Sequence, residues 1–371
     1  MKKIILIIII TIFLTTGCSY VELNNLAIAN TLGIDYVDGN YEVTIQILDL
    51  KKDANGNNDS EKDVIYKGSG KTITNAIRNV SLSYPKELYL GHLSIVIIGK
   101  DLINSDLEEI FEYFIRTPTV RNDFYVLINS TGKASEILDS PKEKSGSFPS
   151  KELVTTLEVS AKEVGATTKV NMEEFINAYI NDTITPIIPN IKKDDDITTL
   201  NGIIAINKKT NKLVLLDDNL TVTYNFIFNN FLSSPLTINY KDTIIDVLIG
   251  LPKNKIKSKI ENDNIIFDIN IDVSLQPSEI RTKINLEDPK VEKEIQNKIN
   301  EKIKENINKL LTFCKDNDID VLNLNNILYK NHFKEYKNIT IKNIYNKANF
   351  NITVKSHLSR YGNLYRSTKG E

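Results

Sequence analysis

Cysteine is almost absent from this sequence: two of its 371 residues are Cys, and none is Trp. Cys18 follows an apolar leader, which leaves Cys314 alone in the body. A lone thiol closes no internal disulfide, and no CxxC or Cys/His cluster offers a zinc site. Folding therefore rests on apolar cores. Excess charge is missing too, since 46 Lys and Arg oppose 48 Asp and Glu. No basic field points to nucleic acid. The three histidines are scattered. His92 stands in Gly91-His92-Leu93 at a strand entrance, His332 follows a long helical segment, and His357 lies on the polar face of a final strand. No HExxH, GxSxG, P-loop or dinucleotide-binding glycine pattern occurs. No catalytic, metal-ligating or cofactor-binding residue is assigned, and the chain reads as a non-enzyme. A hydrolase would need one of these histidines paired with an acid and a nucleophile. His92 reads as a structural or interaction residue.

Long hydrophobic runs are equally scarce. Lys2 and Lys3 precede an apolar stretch from Ile4 to Leu14, broken only by Thr11. Crossing a bilayer takes roughly 20 apolar residues, so residues 1–17 fit a signal peptide better than a transmembrane helix. The small residues Thr16 and Gly17 stand before Cys18, where a peptidase tolerates little bulk. Leu14-Thr15-Thr16-Gly17-Cys18-Ser19-Tyr20 looks like the lipobox of bacterial lipoproteins. That likeness implies a diacylglyceryl group on Cys18, which becomes the mature N-terminus. Thr15 departs from the usual Leu three places before Cys, with Leu14 one place further back. Two or three acyl chains, each CH₂ worth about 0.8 kcal/mol, hold a body on a membrane for its lifetime.

A mature chain of about 350 residues buries two or three cores. Residues 18–195 read as an N-terminal α/β domain. It opens with a strand from Leu26 to Asp35, an Asp38-Gly39 turn and an alternating strand over Tyr41 to Ile47. The Asp53 loop imitates a calcium loop with Asp53, Asn55 and Asn57. Asn58 and Val64 stand where glycine and the bidentate Glu belong, so it reads as a solvated loop. Helices follow at Thr72 to Val80, at Leu107 to Ile115 behind a Ser105/Glu108 capping box, and at Asn171 to Tyr179. Leu93 to Ile98 is a buried strand. The second helix carries Leu107, Ile110, Phe111, Phe114 and Ile115 on its apolar face. Pro186, Pro189 and the charged run Lys192 to Asp196 read as a linker. Residues 198–250 form a small β-rich domain, and residues 251–366 an α+β domain. There Ile265 to Leu275 alternate along a strand. Asp288 caps a long amphipathic helix with Pro289 at its first position. Its stripe is Val291, Ile295, Ile299, Ile303, Ile307, Leu311 and Cys314. Steps of four residues wind this stripe round the axis, as an oblique crossing of a twisted sheet requires. The whole is expected to be a three-domain α+β protein with mixed sheets and packed helices.

Several stretches together carry a family likeness. They are Glu22-Leu23-Asn24-Asn25-Leu26, Leu32-Gly33-Ile34-Asp35, Tyr89-Leu90-Gly91-His92-Leu93 and Phe114-Ile115-Arg116-Thr117-Pro118 with Arg121. Gly202 to Ile206, the long helix, and Asn317-Asp318-Ile319-Asp320-Val321 complete the set. With the lipobox, the chain resembles the Ger(x)C-type spore germination proteins, lipoprotein C subunits of nutrient germinant receptors. The family often has Trp after the lipid cysteine and after the long helix; Tyr20 and Tyr336 stand near those places. The resemblance implies a body on the outer face of the inner spore membrane, held by its diacylglyceryl anchor and assembled with two integral-membrane receptor subunits. It implies no catalysis, and it marks His92, Arg116 and Arg121 as structural or interaction residues. A second reading is a solute-binding lipoprotein delivering a ligand to a transporter, which would show two similar lobes about a cleft.

Mass spectrometry of the mature protein should find a lipid-modified Cys18 at its N-terminus. An unmodified chain beginning elsewhere would remove the lipoprotein reading.

Overall fold

The computed structural model describes residues 26–49, 62–102, 107–139, 344–358, and 150–338 apart from 196, 229, 232, 263, 281–283, 285 and 287. Cys18, Ser105 and the Asp53 loop lie outside them. β1 (Leu26–Val37) and β2 (Asn40–Asp49) pair antiparallel. Between them Asp38 and Gly39 have φ 51° and 76°, the left-handed pair that lets a two-residue turn follow the natural strand twist. β3 (Lys62–Gly70) adds to the outer side of β2. α1 (Ile73–Val80), capped by the Thr72 side chain, returns along β3 to β4 (Glu87–Tyr89), which lies parallel to the start of β1.

β5 (Ile95–Gly99) lies parallel to β1, and β6 (Tyr125–Asn129) parallel to β5, with α2 (Leu107–Arg116) in the crossover. All five residues of β5 are buried because both sheet faces are covered. Val96 and Ile98 join the core under α1, α2 and a later helix, α5 (Met172–Ile180). Ile95 and Ile97 face α3 (Ala134–Leu138) and α4 (Ser150–Val159), the latter continuing in a π-helical turn. The expected capping box of α5 is present, with Asn171 Oδ1 accepting from Glu174 N at 2.8 Å. Ile115, expected on the apolar face of α2, is instead 58% exposed. It lies about 100° round the helix from Phe114, past the face that Ile110, Phe111 and Phe114 fill.

β7 (Ile187–Asp194), β8 (Ile197–Asn207) and β9 (Lys212–Leu216) complete a sheet ordered β3-β2-β1-β5-β6-β7-β8-β9. The charged run expected as a linker is therefore a hairpin. Ile188, Asn190 and Ile191 bury the body of β7, and Asp195 (φ 53°) turns the chain into β8. Pro189 lacks an N–H and sits at a register shift, where a strand tolerates it.

The second sheet joins β10 (Ser234–Tyr240), β11 (Thr243–Ile249), β12 (Lys253–Glu261), β13 (Asn264–Ile280) and β14 (Ala348–Leu358). α6 (Asp218–Phe228) precedes it; α7 (Pro289–Asp316), α8 (Leu324–Asn331) and α9 (Phe333–Asn338) follow β13. The stretch 198–250 is thus shared, β8 and β9 ending one sheet while β10 and β11 begin the other. α7, about 42 Å long by its rise per residue, lays Ile295, Ile299, Ile303, Ile307, Leu310, Leu311 and Cys314 in one core with the inward residues of β13. Val291 at its start is half-buried. Mixed sheets with packed helices give the α+β class.

Ile299 and Ile303 are 0% and 3% exposed. Replacing either by Asp places an unpartnered carboxylate in the core and should cost several kcal/mol, about 3 or more. Lys298 and Lys302 make only exposed ion pairs on α7, so Lys298→Gln or Lys302→Gln should cost under about 0.5 kcal/mol. Urea unfolding of the four variants checks the helix face, and equal midpoints would refute it.

Candidate functional site: two buried aspartates and a polar seam

The Leu32-Gly33-Ile34-Asp35 stretch lies on β1, where Asp35 is buried. Its Oδ1 accepts the Ala134 N–H at 2.6 Å and its Oδ2 the Ser135 N–H at 3.0 Å. These are orphan donors at the start of α3, whose own cap residue, Lys133, makes no capping bond. Asp35 thus caps a helix from 99 residues away in sequence. Burial raises its carboxyl above the usual range, opposed by the two N–H bonds and the Lys133 charge. A Cβ on Gly99 would lie 2.0 Å from Asp35 Oδ1, so only glycine leaves room for the carboxylate. Asn129 shapes the loop between, its Oδ1 accepting from Thr131 N and Gly132 N at 3.2 and 3.1 Å.

Asp320 repeats the arrangement. Its Oδ1 accepts from Leu324 N at 3.0 Å and Tyr345 Oη at 2.6 Å, and its Oδ2 from Asn325 N at 2.7 Å. The Asn323 cap of α8 is left-handed (φ 54°) and makes no side-chain capping bond, so the aspartate supplies it. Burial pushes the Asp320 carboxyl up against the pull of these donors. Cys314 nearby is buried and its thiol is pushed up to about 12. It stays protonated at neutral pH and is no nucleophile.

Around Asp320 the two sheets meet through polar bonds. Asp320 N donates to Thr185 Oγ1 at 3.0 Å, Asn207 Nδ2 to the Asp318 carbonyl at 3.0 Å, and Thr183 Oγ1 to Asn326 Oδ1 at 3.2 Å. Lys208 Nζ donates to the carbonyls of Ala178, Tyr179 and Asn181 at the end of α5, and burial holds its ammonium below the usual range. Thr183, Thr185, Asn207, Lys209, Asp320 and Tyr345 line a cleft of about 370 Å³ there. Its polar groups hold the sheets together. The sequence showed Lys208 only as part of a turn, because its partners lie about 30 residues earlier.

The residues singled out by sequence fall elsewhere. Cys18 is outside the described residues. His92 is exposed, edge-on to the Tyr89 ring at 5.6 Å between centroids. Arg116 forms a two-bond pair with Glu112 one turn back, at 2.7 and 3.3 Å, and Arg121 pairs with Asp123. The Ile95↔Tyr125 register brings His92 and Arg121 to one end of the sheet. His332 Nε2 lies 3.1 Å from the Ser258 carbonyl, and His357 lies 3.4 Å from Asp272 on β13. The three histidines share no site. Among the described residues no group of three or more His, Cys, Asp or Glu is placed to hold a metal, and no helix is long and apolar enough to cross a membrane.

Fold and seam define an α+β body in which Asp35 and Asp320 cap helices from within. Two family models match it in succession, the spore germination protein N-terminal domain over residues 19–193 and the spore germination B3/GerAC-like C-terminal domain over residues 201–362. The chain belongs to the GerAC-type spore germination proteins. Spore germination protein KC of Bacillus subtilis (strain 168) is 21% identical over 360 residues, covering 89% of this chain and 88% of the relative. Spore germination protein GerQC of Bacillus cereus is 23% identical over 372 residues, covering 98% and 99%. The crystal structure of the GerBC protein shares the fold with a TM-score of 0.56 at 18% identity, covering 88% of this chain and 96% of that one.

Asp320→Ala leaves buried N–H groups of α8 and the Tyr345 hydroxyl unpartnered and should cost about 1–3 kcal/mol or more. Asp320→Asn keeps one acceptor and should cost less. Because the folded carboxyl titrates above the ordinary 3.8, the folded state holds the proton more tightly than the unfolded. Asp320's contribution is full below that value and falls as pH rises through the folded pKa. The advantage of wild type over Asp320→Asn should therefore shrink from pH 4 upward in urea titrations. A widening advantage would reverse the sign.

Proposed function

We propose that this chain is the membrane-tethered lipoprotein subunit of a nutrient germinant receptor, acting in spore germination through assembly with two integral-membrane subunits. Its anchor is a diacylglyceryl group on Cys18, and its place is the outer face of the inner spore membrane. The observation that carries this reading is the pair of family matches, which together run from residue 19, directly after Cys18, to residue 362. The names of the relatives, all spore germination proteins, support it. A body fixed at its N-terminus stays within tens of Å of membrane partners, so weak contacts gain from effective concentration. The solute-binding reading asks for two like lobes. Among the described residues one sheet has nine strands and the other five, in different orders.

Spores carrying Cys18→Ala should lose nutrient-triggered germination through this receptor while the body still folds. Spores with His92, His332 and His357 all changed to Gln should germinate in proportion to assembled receptor, because none of the three is assigned chemistry. Germination rates with subunit levels measured alongside check both. Full germination with a soluble, unlipidated body would overturn the tether, and a fully assembled but dead histidine variant would demand a chemical site.

A further inference from the structure

We propose that the end of the first sheet at which β1, β4, β5 and β6 begin is the face this body turns to the bilayer, with the lipid headgroup layer as its occupant. The inference rests on the tether at Cys18. From Cys18 to Leu26 there are eight peptide steps, which span about 29 Å at most. β1 then rises away from Leu26 for twelve residues, about 40 Å. Leu26 is thus the point of the described body held nearest the anchor, and the Asp38–Gly39 turn lies a full strand length farther along the chain.

Parallel pairing gathers the other starts at the same end. Leu26 pairs with Glu87, Thr31 with Ile95, and Ile95 with Tyr125. The hydrogen bonds from Ser94 N to the Asn30 carbonyl and from Tyr125 N to the Ser94 carbonyl, 2.8 and 2.9 Å, tie these entrances together. β7 runs parallel to β6 and β8 antiparallel to β7, so the Lys208–Asn211 turn also comes to this end. Exposed there are His92 and Arg121. α1 and α2 both descend toward this end. Just past the first stands Leu82, 85% exposed, and in the last turn of the second Ile115, 58% exposed. Asp123 pairs with Arg121, and Leu82 and Ile115 add apolar contact to the geometry that sets the orientation.

The test uses the full lipidated chain reconstituted in phosphatidylcholine vesicles containing nitroxide-labelled lipid. A fluorophore is placed on Leu82→Cys or His92→Cys at the proposed face, or on Lys71→Cys or Lys100→Cys at the far end. Cys314 is buried and its thiol pushed up to about 12, so it escapes labelling. Flotation with the vesicles is measured first. Quenching should be several-fold stronger at 82 and 92 than at 71 and 100, and should change little with salt. Equal quenching at all four positions in floating protein would overturn the orientation and leave the tether standing. Failure to float would overturn the tether, and the orientation with it. Quenching at 82 and 92 that vanishes, replaced by protection only when the integral subunits are added, would give the face to a protein and overturn the lipid assignment.

Discussion

One strand carries two cores. Along β8, Ile204 and Ile206 point into the core beneath α1, α2 and α5, while Ile203 and Ala205 point into the core of α7 and the second sheet. Alternate side chains of a strand face opposite ways, so a slip of one residue would exchange the two sets entirely. Both cores therefore fix the same register. Asn207, the last residue of β8, then donates to the Asp318 carbonyl beyond α7. The two halves are joined by a shared wall and a polar seam, not by a bare linker.

The two aspartates of the family stretches share one task. A helix start presents unpaired N–H groups and a partial positive charge, which a carboxylate satisfies. Asp35 does so for α3 and Asp320 for α8, where the local cap residues make no side-chain bond. Asp35 is brought to its helix across the sheet, Asp320 from the loop just before its helix. Burying each carboxylate has a cost, offset by donors that have nowhere else to bond. In two of the stretches by which this chain resembles its family, the aspartate thus serves the build of the body.

What was legible in the sequence was what is local or periodic. The Asp38-Gly39 turn, the continuous run of β5, the Asn171/Glu174 capping box and the winding stripe of α7 follow from neighbours in sequence. α6 was not legible. Thr221, Thr223, Tyr224 and Asn225 have modest helix propensity, and all are buried, so tertiary packing decides their state. Asn225 even spends its side chain on the carbonyls of Gly165 and Thr167. β12 was hidden differently, since Lys253, Lys255, Lys257 and Lys259 alternate with Asn254, Ile256, Ser258 and Ile260, so only two of its inward positions are apolar. The lysines occupy the exposed face of a strand that pairs with β13 on one side and meets His332 at the Ser258 carbonyl. The Asp35–Ala134 and Lys208–Ala178 contacts depend on the finished topology, and no spacing rule reaches them.

The proposed role fits a rigid body better than a hinged one. Tethering raises the effective concentration of a surface only where geometry lets it meet its partner. A body that flexed at its middle would spend that advantage over many orientations. Here β8 gives each half its register, and Thr185, Asn207 and Asp320 close the joint with hydrogen bonds. Rotating one half against the other would break those bonds and expose the wall that both cores share. In the proposed role the body would act by holding surfaces at fixed positions relative to one another.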